Sequence, residues 1–106
     1  MGQPERGVRV VELCGITYHL NVPSVQALLR MLRLAGYPAD GATVPEMLVF
    51  MTSETAYTLS SMELIKYRKV GLAIHAKFTL HGLLAANMIK SQERRWLRVL
   101  GRNRAA

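Results

Sequence analysis

Cys14 and His19 stand five positions apart near the start of the chain. On neighbouring strands they could make a nucleophile and its base, because a thiol attacks only once a nearby group takes its proton. No Asn or Asp accompanies them in a recognisable orienting position. A lone cysteine beside a turn is therefore read as structural or incidental. Adding His75 and His81 brings the soft ligands to four, enough in number for tetrahedral zinc. His75 and His81 are six residues apart, so on one helix their side chains diverge by roughly 120°. The two histidines are read as core residues whose ring nitrogens find buried partners, and neither zinc nor any other cofactor is expected.

Acid–base chemistry needs at least two ionisable groups that converge. Glu5, Glu12, Asp40 and Glu46 are scattered through the first half, and Glu46 and Glu63 already have another use. Thr43 with Glu46, and Ser60 with Glu63, have the spacing of a helix-capping box. None of the eight glycines falls into a phosphate-cradling loop. The expectation is a binding protein and not an enzyme.

The charge points to an acidic partner. Arg6, Arg9, Arg30 and Arg33 balance the four acids of residues 1–52, so the whole net charge of +7 lies beyond them. There, ten Lys and Arg face only Glu54, Glu63 and Glu93. Lys66, Arg68 and Lys69 form one group; Lys90, Arg94, Arg95, Arg98, Arg102 and Arg104 form another. Arg94, Arg95 and Arg98 share a helical face closely enough to follow a phosphate backbone, with Lys90 and Arg102 extending it. Trp96, beside Leu97 and Leu100, reads as an apolar anchor in the core or in a partner's groove.

These groups must be positioned by secondary structure. Ile16, Tyr18, Leu20 and Val22 alternate with Thr17, His19 and Asn21, the pattern of a half-buried strand. Residues 8–13 are rich in β-branched side chains, and Cys14-Gly15 supplies a tight turn, so an N-terminal β-hairpin is expected. The run ELCGIT also resembles the turn of a helix-turn-helix protein. Asn21 then falls where the second helix buries an aliphatic residue, and Pro23 would interrupt it. Ser24 is expected to cap a helix carrying Val25, Leu28, Leu29 and Leu32, ended by Gly36 and Pro38. Residues 44–51 read as a short helix after Thr43, or as a buried strand through Met47-Leu48-Val49-Phe50-Met51.

From Ser60 onward helix formers dominate, and one helix is expected to run to Ile89, with Gly71 as its one break point, before continuing to Gly101. Residues 70–89 are apolar nearly all round, with Leu80, Leu83 and Leu84 in their core or interface. A central lysine costs about 2.5–3.5 kcal/mol on insertion scales. With His75, His81 and Asn87 beside Lys77, the stretch is not expected to span a membrane.

The resulting expectation is a mainly α (α+β) single domain over residues 1–106. An N-terminal hairpin is followed by a helical bundle with a long apolar C-terminal helix, and residues 102–106 form a flexible basic tail. A chain of 106 residues has little material to surround such a helix, so a homodimer is expected. One cysteine and no secretory pattern at the start suggest the cytoplasm. The functional expectation is a transcriptional regulator that binds nucleic acid through its C-terminal basic helix. Alternatives are an inhibitor that sequesters a protein such as a transcription factor through apolar helix surfaces and, less well supported, association with an anionic membrane surface.

Overall fold

Cys14 and Gly15 both have positive φ, +52° and +81°, as a two-residue hairpin loop of matching twist requires. They join β1 (Arg9–Leu13) to β2 (Ile16–Leu20) in the register Leu13 to Ile16 and Arg9 to Leu20. Val11, Leu13, Tyr18 and Leu20 are buried, while Ile16 is exposed. The expected hairpin is present, although Val22 belongs to the next element. A computed structural model describes residues 8–105, with side chains described through residue 93.

Helix α1 (Val22–Leu34) starts three residues before the expected cap position would allow. Asn21 caps it, its Oδ1 accepting from the Ser24 amide at 3.0 Å, and Pro23 occupies the first turn where no intrahelical amide is needed. Gly36, at φ +81°, closes the helix, its amide donating to the Arg33 carbonyl and that of Tyr37 to Leu32. The short helix expected after Thr43 does not form; the alternative strand is observed instead, as β3 (Met47–Val49), with Val49 buried and Leu48 exposed.

The expected helical bundle is not what forms. After α2 (Ser53–Ser61) come two more strands, β4 (Ile65–Val70) and β5 (Ala73–Phe78), and only then α3 (Leu80–Ala105), which includes Gly101. The fold is α+β with three helices and two antiparallel sheets, β1–β2 and β3–β5–β4. Among the described residues no helix is long and apolar enough to cross a membrane.

Three local features account for the difference. Ser60 and Glu63 do not open a helix but end α2. Glu63 sits at φ +60° as its amide donates to the Ser60 carbonyl and the Leu64 amide to Leu59, the two bonds that close a helix C-terminus. Gly71, at φ +63°, is the first residue of a two-residue Gly-Leu hairpin loop between Val70 and Ala73. In residues 73–78 the burial has a period of two: Ile74, Ala76 and Phe78 are buried, while His75 and Lys77 face the other way. Half of the supposed apolar helix is thus a strand lining this domain's own core. The argument for a dimer, which needed a helix apolar on every side, goes with it.

Thr79 begins α3 and ties it to the strand start. Its hydroxyl accepts from the Gly82 amide at 3.0 Å and donates to the Glu63 carbonyl at 2.6 Å, while its own amide donates to the Leu64 carbonyl at 3.1 Å. α3 packs on α1 and β1, burying Leu83, Ala86 and Ile89, while Leu84 is half-buried and Leu80 is 63% exposed. Of the three leucines expected in an interface, Leu83 is fully in the monomer core.

A Cβ on Gly82 would lie 1.7 Å from the Leu64 carbonyl oxygen, a backbone atom held by its own hydrogen bond. Gly82→Ala should therefore destabilise the domain by roughly 1–3 kcal/mol through forced backbone displacement. Leu80→Ala, at an exposed position, should stay within about 0.5 kcal/mol of the parent. Denaturant unfolding of both variants checks this; equal stability for Gly82→Ala and the parent would refute the close packing.

Candidate nucleic-acid interface

Side chains alternate across a strand, and the helices cover only one side of the three-stranded sheet. Val49, Ile65, Ile74, Ala76 and Phe78 are buried beneath α1, α2 and α3. The opposite side is open. Register places Lys66 against Lys77, Arg68 against His75, Leu48 against His75, and Val70 against Ala73. Continuing the β3 register one residue each way sets Glu46 beside Lys77 and Phe50 beside Ala73.

The open face is therefore a three-by-three array, with neighbours about 4.8 Å apart across strands and about 6.8 Å along them. One row is Glu46, Lys77 and Lys66; the next is Leu48, His75 and Arg68; the last is Phe50, Ala73 and Val70. Charge gives way to apolar surface toward the β4–β5 turn, where Leu72 is fully exposed and Phe50 is 86% exposed.

Glu46 is the only carboxylate on this face. It reaches over β5 to Arg68, which donates from Nε at 3.0 Å and from Nη2 at 2.9 Å, and it lies 4.0 Å from the Nδ1 of His75. The Arg68 hydrogen bonds hold the Glu46 carboxyl below its ordinary value against an opposing desolvation, and the nearby charges of Arg68, His75 and Lys77 each add less in the same downward direction. The same pair raises Arg68. Lys66 and Lys77 form no ion pair among the described residues. Like charges directly opposite on a sheet are unfavourable by roughly 0.2–1 kcal/mol, so this arrangement does not serve the fold.

The expected site residues are dispersed. Lys66 and Arg68 lie on the open face, whereas Lys69, paired with Ile74, points to the other side. Lys90 is on α3 and not on the sheet, its Nζ 4.9 Å from the Tyr37 ring centroid. The side chains of Arg94, Arg95, Trp96, Arg98 and Arg102 lie outside the described residues. Of the nucleophile and metal candidates, Cys14 is exposed in the first hairpin turn and His19 pairs with Val10 toward that hairpin's far end. His75 is on β5, and His81 hydrogen-bonds the buried Tyr18 hydroxyl at 3.0 Å, joining α3 to β2. Glu46, Leu48, Phe50, His75 and Lys77 were missed as site residues. For His75 and Lys77 the signal is the period-two pattern on either side of Gly71.

Comparison with protein-family models, curated proteins and solved structures finds no match to this chain.

Because the folded-state value of Glu46 lies below its unfolded value, the pair stabilises the fold above the ordinary carboxylate range and that contribution is lost as pH falls through the lowered folded value. Melting temperatures of Glu46→Gln and the parent should differ near neutral pH and converge in acid. A difference that persists unchanged below the carboxylate range would show that ionisation of Glu46 is not involved.

Proposed function

We propose that this chain is a small non-enzymatic regulator that binds nucleic acid on the open face of the β3–β5–β4 sheet. The observation carrying this reading is the placement of Lys66 directly opposite Lys77, beside Arg68, on a face that no helix covers. Unpaired cations at this spacing repel one another until an anion lies across them, and phosphates at regular intervals suit that role. Glu46 competes with the ligand for Arg68. It lowers the affinity of the free face for any polyanion and disfavours weakly held ones. Action in the cytoplasm belongs to this reading, in keeping with the exposed, unpaired Cys14.

The apolar row of Phe50, Ala73 and Val70, with Leu48 beside it, favours a second reading, in which the same face docks a partner protein and the chain acts as an inhibitor. Salt distinguishes the two. Phosphate contacts release counterions, whereas apolar burial hardly responds to added salt.

Fluorescence anisotropy with a labelled oligonucleotide should show log affinity falling steeply with log salt. Lys66→Ala with Lys77→Ala should flatten that slope by about 0.7 per lost contact on a single strand. Glu46→Gln, which frees Arg68, should bind more tightly than the parent. Binding unaffected by salt and by the lysine changes would refute the reading.

A further inference from the structure

Two open grooves beside the sheet share a wall. One is lined by Pro23, Gln26, Arg30, Phe50, Thr52 and Thr55. The other, between α1 and α3, is lined by Gln26, Arg30, Arg33, Tyr37, Lys90 and Glu93, among others. Gln26 and Arg30 belong to both, so the two grooves adjoin at these side chains and together make a trough of two parts, one beside Phe50 and the other in the α1–α3 cleft. Arg30 joins the two parts. Its Nη1 donates to the Phe50 carbonyl at 2.7 Å, leaving the rest of its five donors for other acceptors.

Arg30, Arg33 and Lys90 share this groove with Glu93, Asp40 lies with Lys90 and Tyr37 in the groove next to it, and none of the three cations is ion-paired among the described residues. Lys90 is held over the Tyr37 ring, so its charge stays within the trough. Phe50, 86% exposed, stands where this basic trough meets the apolar end of the open face, one row from His75 and Arg68 and two rows from Lys77 and Lys66.

We propose that the trough continues the sheet surface as a path for single-stranded nucleic acid, with a base stacked on Phe50 and the phosphates beyond it held by Arg30, Arg33 and Lys90. This rests on the sheet-face reading and extends it. Three features favour a single strand. Stacking on a protruding aromatic ring needs an unpaired base. The path turns off a flat sheet into a neighbouring cleft, which a flexible strand follows and a duplex, stiff over about 150 base pairs, does not. Cations also lie on both sides of the aromatic, as a chain with a phosphate at every residue requires.

The test compares oligothymidylates of about 4 and about 12 nucleotides, lengths within the range a single small domain covers. Matching oligouridylates tell DNA from RNA, and a duplex of the longer length is included. The full chain is used, with circular dichroism confirming that each variant is folded. The longer strand should bind at least tenfold more tightly than the shorter. Arg33→Gln with Lys90→Gln should remove most of that gain while leaving the short strand unchanged, and Phe50→Leu should weaken the longer strand roughly tenfold, within the range of a lost stacking contact. Lys66→Ala with Lys77→Ala should weaken both lengths. If only the lysine variant weakens binding, the sheet face binds and the trough does not. Duplex binding as tight as the single strand would overturn the single-strand assignment. Failure of every oligonucleotide to bind would overturn the sheet-face reading as well.

Discussion

The Leu64 carbonyl is the point on which the architecture turns. It accepts the Thr79 amide at 3.1 Å, which extends the β4–β5 ladder by one step beyond Ile65 and Phe78, and it lies so close to the first turn of α3 that only a glycine fits there. Strand pairing and helix docking are thereby set by the same atom. From it the register runs without a bulge to Val70 and Ala73, so Lys66 and Lys77 are necessarily opposite, and Arg68 is necessarily beside His75. With α3 secured to the inner side, the outer face has no covering element among the described residues.

The cost of assembling that face is small against what lies beneath it. Opposed lysines oppose pairing by at most about 1 kcal/mol. Burying a side chain such as Ile65, Ile74 or Phe78 on the inner side contributes roughly 1.5–3 kcal/mol each. The sheet can thus carry unneutralised charge without falling apart. Glu46 neutralises a single cation, Arg68, and does so from the far edge strand, holding β3 and β4 together across β5. An anionic ligand on this face would meet Lys66 and Lys77 without an ion-pair partner among the described residues, and Arg68 only in competition with Glu46.

The first third of the chain was legible because its signals are local and agree. Residues 16–20 alternate, Cys14-Gly15 fits a two-residue turn, and the stripe of Val25, Leu28 and Leu32 is buried as its spacing implies. The cap moved from Ser24 to Asn21, a shift that the Asn21-Val22-Pro23 run explains, since proline is accepted in a first turn. The second half was misread where one spacing has two meanings. Ser60 and Glu63 match a capping box, yet the same pair lies at the end of α2 with Glu63 in the left-handed conformation usually left to glycine. Residues 65–78 hold three Lys and two Ala, yet Ile65, Tyr67, Val70, Ile74 and Phe78 are β-branched or aromatic and suit a pleated, half-buried strand. Gly71 was noticed as a possible break, but not as the Gly-X turn it forms with Leu72. Reading residues 65–70 and 73–78 by twos instead of by three and four would have placed Lys66, Arg68, His75 and Lys77 on one face. The contact between Glu46 and Arg68, twenty-two positions apart, leaves no local trace.

The central claim is that the open face of the β3–β5–β4 sheet holds the ligand, and amide chemical shifts followed during titration of the labelled chain with a single-stranded oligonucleotide test it most directly. The account predicts saturable shifts at Glu46, Leu48, Phe50, Lys66, Arg68, His75 and Lys77, diminishing with added salt, while the Cys14-Gly15 turn stays unmoved. Shifts concentrated on the β1–β2 hairpin, with the sheet face silent, would contradict it.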